Sequence, residues 1–149
     1  MLLLLLGAWG SMATDPDALL SPPMLNEEQA SVYEALAATM DMGEVIPKYP
    51  QNGELRTLYI FYDMDGDGSN EAIVFYSLRG DALSTRLRIL RQAQGGGWIQ
   101  LQDIAMNREQ VDFVQFSHIL SQEAACLLIG WSNTGSRDAD NILSVYSYT

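Results

Sequence analysis

The sequence predicts a mainly β domain of antiparallel meanders, about seven strands in all, preceded by one α-helix. Three observations carry this expectation. From residue 57 onward, short runs rich in β-branched and aromatic residues recur, each bounded by turn signals. The connections between them are too short for crossover helices, so successive strands run antiparallel. Only one stretch, residues 26–40, sets apolar side chains at helical spacing behind a capping signal.

Taken in order, residues 1–13 read as the remnant of an export signal. Leu2 to Trp9 forms an apolar run of h-region length, too short to span a bilayer, and small residues follow it. Residues 14–25, "TDPDALLSPPML", read as a tether, because Pro16, Pro22 and Pro23 oppose a regular helix. The helix comes next. Asn26 is its cap, Gln29 completes a capping box, and Glu27 and Glu28 suit the positive end of the helix dipole. Val32, Tyr33, Leu36 and Met40 share one face, so that face packs on something. Gly43, Pro47 and Pro50 lead from the helix into a loop.

Strands are expected near Thr57–Tyr62, Ala72–Leu78, Thr85–Arg91, Trp98–Ala105, Val111–Ser117, Ala124–Trp131 and Ile142–Tyr148. Residues 26–149 then make a single β-rich domain, as a whole or as the N-terminal part of a longer repeat protein. An imperfect internal repeat runs through it. "YIFYDMDGDGSNEAIVFY" lies over "VQFSHILSQEAACLLIGW" with a one-residue gap. Each copy is a strand, a polar turn, Glu-Ala and an apolar strand, followed by a third strand. The first copy adds a fourth. In "TRLRILR", Arg86 and Arg88 alternate with apolar residues and read as a solvated strand face, with salt bridges to the acids as an accompanying reading and an anion site as a weaker one. Trp98 reads as a strand anchor. Trp131, Tyr146 and Tyr148 read as packed strand aromatics, with an aromatic binding surface as the competing reading.

Composition narrows the partners. The chain has 149 residues, is 48% hydrophobic and carries a formal net charge of -11. It can build a core, and it repels nucleic acid and anionic lipid. Cations and basic partners are its natural counterparts. Cys126 is the single cysteine, within "AACLLIGW", and reads as a buried inert thiol. Together with the lone His118 it makes no zinc site.

The chemistry concentrates in "DMDGDGSNE", residues 63–71. Asp63, Asp65 and Asp67 alternate, Ser69 offers a main-chain carbonyl, and Glu71 closes the shell. Gly66 and Gly68 let the backbone fold tightly. Carboxylates this close repel one another, and a divalent cation relieves that repulsion. Calcium takes six to eight hard oxygen ligands in a flexible geometry, which this set supplies. The loop is not an EF-hand. Position twelve is Val74 rather than Glu, and both flanks are strands. A plain hairpin turn at Asp67-Gly68 is the bland alternative.

The stretch resembles the short calcium turn of FG-GAP and VCBS-type repeats: an apolar strand, D-x-D-x-D-G-x-x-D/E, and a second apolar strand. Here Asp63-Met64-Asp65-Gly66-Asp67-Gly68-Ser69-Asn70-Glu71 stands between "LYIFY" and "AIVFY", with Glu71 in place of the commoner Asp. "LLSPPMLNEEQASVYEAL", this turn and the later strands also resemble a family of exported Firmicutes lipoproteins of unknown function. These resemblances imply propeller-blade-like meanders, an extracytoplasmic location and calcium as a structural cofactor. They supply no activity. The family's lipobox Cys is absent, with Ser11 in that neighbourhood, so membrane association through a lipid is not implied.

One enzymatic alternative arises. "IFYDMDGD" resembles the first motif of haloacid-dehalogenase-type phosphatases, with Asp63 as nucleophile and Asp65 as general acid. Asp67 replaces that motif's hydroxyl residue, a strand follows at once, and Lys48, the only lysine, lies upstream. The expectation is therefore a non-enzymatic exported binding module or scaffold. Its calcium ligands are Asp63, Asp65, Asp67, Ser69 and Glu71, and its partner is an extracytoplasmic protein or glycan.

Overall fold

The computed structural model describes residues 25–132 and 142–147. The expected export remnant, most of the tether and Tyr148 lie outside them. The described chain is mainly β, with one helix and two antiparallel sheets.

Helix α1 is Glu27–Ala37. Asn26 Oδ1 accepts from the Gln29 main-chain N–H at 2.8 Å, and the Gln29 side chain accepts from the Asn26 N–H at 3.2 Å. Two orphan donors of the first turn are thus satisfied, as the capping box predicts. Val32 and Leu36 are buried, while Tyr33 is exposed.

The first sheet contains β1 (Val45–Lys48), β2 (Tyr59–Tyr62), β3 (Glu71–Leu78), β4 (Asp81–Gln92) and β5 (Trp98–Ala105). β2, β3, β4 and β5 form a meander. β1 falls where Gly43, Pro47 and Pro50 predict a loop. It pairs Val45–Lys48 with Leu78–Phe75 of β3, on the edge that also carries β2, which pairs with Val74–Glu71. Edge strands tolerate proline, and Pro47 sits in one. The second sheet is β6 (Gln110–Ser117), β7 (Cys126–Ser132) and β8 (Ile142–Ser147), in that order.

Two expectations are corrected. There are eight strands rather than seven among the described residues, and neither sheet is closed or arranged as a propeller blade. The reason lies in β3, where every residue from Glu71 to Ser77 is buried. Such a strand is covered on both faces. Ile73 and Phe75 join Ile60, Leu87, Val111, Leu127, Ile129 and Trp131 in a core drawn from both sheets. Ala72 and Val74 join Val32, Leu36, Tyr59 and Leu90 in a core under the helix. The order is helix, first sheet, second sheet.

The aromatic residues mostly pack. Trp131 is buried edge-on to Phe75, with ring centroids 6.1 Å apart, and its Nε1–H donates to Ser144 Oγ. Trp98 donates to Ser31 Oγ at 2.8 Å and ties β5 to the helix. Tyr146 packs against the inter-sheet core. Of the readings of the β4 arginines, the solvated face is corrected for Arg88, and the salt bridges to an acid are present. Arg88 is buried, and its guanidinium grips Asp103 of β5, as does that of Arg86 at 3.0 Å. Tyr76 and Thr39 complete the network. A charge enters this layer because every polar neighbour bonds it.

Candidate metal centre

The acidic turn is the connection between β2 and β3, and its shape follows from carboxylates capturing main-chain N–H groups. Asp63 Oδ1 accepts from Gly66 at 2.7 Å and from Asp67 at 3.1 Å, and Oδ2 accepts from Gly68 at 2.9 Å. Asp65 Oδ1 accepts from Asp67, and Asp67 Oδ1 accepts from Ser69 at 2.7 Å. Gly66 has φ 78° and Gly68 φ 89°, the left-handed region that glycine enters without strain.

Glu71 opens β3 and is only 2% exposed. Its Oε2 accepts the Met64 N–H at 2.8 Å and so closes the base of the loop. Burial raises its carboxyl above the ordinary 4.5. The Met64 N–H works against that rise, and the charges of Asp65, Asp67 and Asp63 add to it.

Three carboxylates converge: one oxygen each from Asp63, Asp65 and Glu71 lies within 4.8 Å of the others. Of the carboxylates predicted as ligands, Asp67 lies outside this set; Ser69, predicted through its main-chain carbonyl, is not a carboxylate and so has no place in it. A carboxylate oxygen has two acceptor positions, so the N–H contacts of Asp63, Asp65 and Glu71 leave acceptor capacity toward a cation. The donors are hard oxygens, which suits calcium better than a softer metal.

The turn is docked, not free-standing. Met64 points into the core between the sheets and is 1% exposed. Its carbonyl accepts the Ala125 N–H at 2.8 Å, and a Cβ on Gly66 would lie 2.4 Å from the Glu123 carbonyl oxygen. Residues 123–125 end the turn between β6 and β7, the position the internal repeat matches to the acidic turn. That second turn carries no acidic cluster. Ser121 Oγ caps Glu123 and Ala124, and His118 is exposed. Sequence reasoning named the acids but missed Met64 and Gly66 as docking points. The apolar Met64 inside an acidic run was the available signal.

No protein-family model, curated protein or solved structure matches this chain.

Proposed function

We propose that the protein is a non-enzymatic, exported binding module or scaffold whose β2–β3 hairpin is stabilised by calcium. The convergence of Asp63, Asp65 and the buried Glu71 carries this reading. A buried carboxylate among three others costs folding free energy that a divalent cation offsets. Asp63, Asp65 and Glu71 would hold the ion, with main-chain oxygens and water filling the shell. The partner is a protein or glycan outside the membrane, since the net charge of -11 disfavours nucleic acid and anionic lipid.

Asp63 supports a structural rather than a catalytic role. Its two oxygens accept three main-chain N–H groups, which withdraws electron density from a would-be nucleophile. A strand follows the turn directly, and the single lysine sits on β1.

The test is calcium titration by calorimetry and thermal melting, beside an Asp65→Ala, Asp67→Ala double variant. The expected result is saturable binding and, at free calcium a hundredfold above Kd, a stabilisation of about 2.7 kcal/mol that the variant lacks. No binding at millimolar calcium would reduce the loop to an acidic turn. Phosphate-ester hydrolysis lost in Asp63→Asn would replace this reading with the phosphatase.

A further inference from the structure

The two sheets follow one plan to different lengths. In the first, β2, β3, β4 and β5 are successive antiparallel neighbours. In the second, β6, β7 and β8 are, and among the described residues no strand pairs with the far side of β8. The sheets face each other strand on strand. Tyr62 of β2 stacks on Phe116 of β6 with ring centroids 3.8 Å apart, and Phe75 of β3 meets Trp131 of β7. At the other end Tyr146 of β8 donates its O–H to Met106 Sδ, just past β5, at 3.4 Å. Beyond β8 a slot of about 330 Å³ opens between the sheets. Leu101 and Ile104 of β5, Ile89 of β4, Met64 and Tyr146 are among its walls, and no charged residue lines it.

The far edge of β8 borders this slot, and among the described residues its main-chain groups on that side are unbonded. Other edges are covered or blunted. The Gln51 and Asn52 N–H groups donate to the Val111 and Asp112 carbonyls on the β6 edge, and β1 carries Pro47 and Lys48. β8, "ILSVYS", has neither charge nor proline. Leu143 and Val145 on its outer face are 57% and 46% exposed. The first sheet shows what fits such a place. There β4 is the third strand of the meander, as β8 is in the second, and β5 pairs along its far side.

We propose that the β8 edge binds an extended polypeptide strand of a partner protein, which adds a fourth strand to the second sheet and turns every second side chain into the slot. Main-chain hydrogen bonds to Ile142–Ser147 supply the pairing, over about 20 Å of extended chain. The slot is apolar and the chain carries a net charge of -11, so the strand presents apolar residues inward and basic residues to solvent. A second copy of this chain fits less well, because its own β5 reaches past its own β8 and would be carried into the same slot. The inference rests on the binding-module reading and deepens it, naming the partner as polypeptide rather than glycan.

The test uses the full chain, with and without calcium, and an eight-residue peptide that alternates valine and lysine. Calorimetry should show saturable one-to-one binding, and the amide resonances of Ile142–Ser147 should shift. Two N-methylated forms of the peptide make the test specific. One is methylated on the valine nitrogens, the other on the lysine nitrogens. In a strand, alternate N–H groups point to opposite edges, so one form should bind and the other should lose at least tenfold. Ser147→Lys places a charge at the mouth of the slot and should weaken the peptide at least tenfold without lowering Tm. No saturable binding in either condition, equal affinity of the two methylated forms, or shifts confined to other strands would each overturn the proposal. A dimer in sedimentation that excludes the peptide would also overturn it, in favour of a second copy. If Ser147→Lys fails to fold, the methylated pair still decides. Peptide binding in either condition supports the proposal whether or not the hairpin takes calcium, so the two readings fail separately.

Discussion

The Met64 main-chain N–H donates to Glu71 Oε2 at 2.8 Å, across a loop in which Asp63 and Asp65 each bring an oxygen within 4.8 Å of one from Glu71. Glu71 therefore has two roles that can be separated. Its oxygen closes the loop, and its charge is a burden without a cation.

Glu71→Gln retains an acceptor and removes the charge. In metal-free protein, the Glu71 carboxyl titrates above its ordinary 4.5, so the folded state binds that proton more tightly than the unfolded state. Its contribution is present below 4.5 and is lost as pH rises through the raised value. Wild type should gain stability relative to Glu71→Gln as pH falls from 7 toward 5, read as the difference between their melting temperatures. A constant difference would refute the shift. In calcium, wild type should regain the advantage at pH 7.

Asp103 works in the opposite direction. Burial raises its carboxyl, but hydrogen bonds from Arg88 and Tyr76 and the charges of Arg88 and Arg86 outweigh burial and hold it below the ordinary 3.8. Its stabilisation is present above 3.8 and is lost as pH falls through the lowered value. Asp103→Ala leaves the buried Arg88 without its carboxylate and should cost about 3–5 kcal/mol in urea unfolding. Replacing Arg88 with Met should cost less, because Arg86 and Tyr76 still serve Asp103. Equal losses would contradict that ordering.

Gly66 and Gly68 share the left-handed conformation but not the same surroundings. An added Cβ at Gly68 meets nothing within 4 Å, so Gly68→Ala should cost only the backbone term of about 1–2 kcal/mol. At Gly66 the methyl meets the Glu123 carbonyl, so Gly66→Ala should lose clearly more and shift the amide resonance of Ala125. Parallel denaturant curves compare them directly, and equal midpoints would mean that the two turns are not docked.

Ser77 Oγ is buried and, among the described residues, has no hydrogen-bond partner. Ser77→Ala deletes an unsatisfied group with little change in volume and should raise stability by about 1 kcal/mol. A loss of stability would show that the hydroxyl is served.

Cys126 is buried within β7. A disulfide reagent should leave it unmodified in native protein and label it fully in 6 M guanidinium, on the order of the denaturant strength that unfolds even very stable domains. Rapid native labelling would place the thiol at the surface.

Much of this was legible in the sequence because it is local. The capping box needs only Asn26 and Gln29. The strands announce themselves by composition, and the acids of the turn all lie within a stretch of nine residues. What was not legible depends on contacts far apart in the chain. β1 is held by β3 some thirty residues later, and nothing within "VIPK" signals it. Arg88 looked solvated because its partners, Thr39, Tyr76 and Asp103, come from three other segments. The two-sheet stacking was hidden for the same reason. Alternation tells which residues share a face, but not what covers it. In the turn, the pattern identified the carboxylates. Only the fold separates the converging Asp63, Asp65 and Glu71 from Asp67, whose carboxylate holds the Ser69 N–H.

The placement of β1 has a kinetic consequence. The hairpins β2–β3 and β3–β4 close short loops, whereas β1 docks only after a much longer segment has been gathered in. It contributes four residue pairs, one of them through a proline that lacks an amide proton. β1 is therefore among the last pieces to lock and the first to fray, a low-stability foldon on an otherwise cooperative sheet. Its amides should exchange with solvent well ahead of those of β3 and β4. Each such excursion peels Val45 and Pro47 away from Leu78 and Tyr76 of β3.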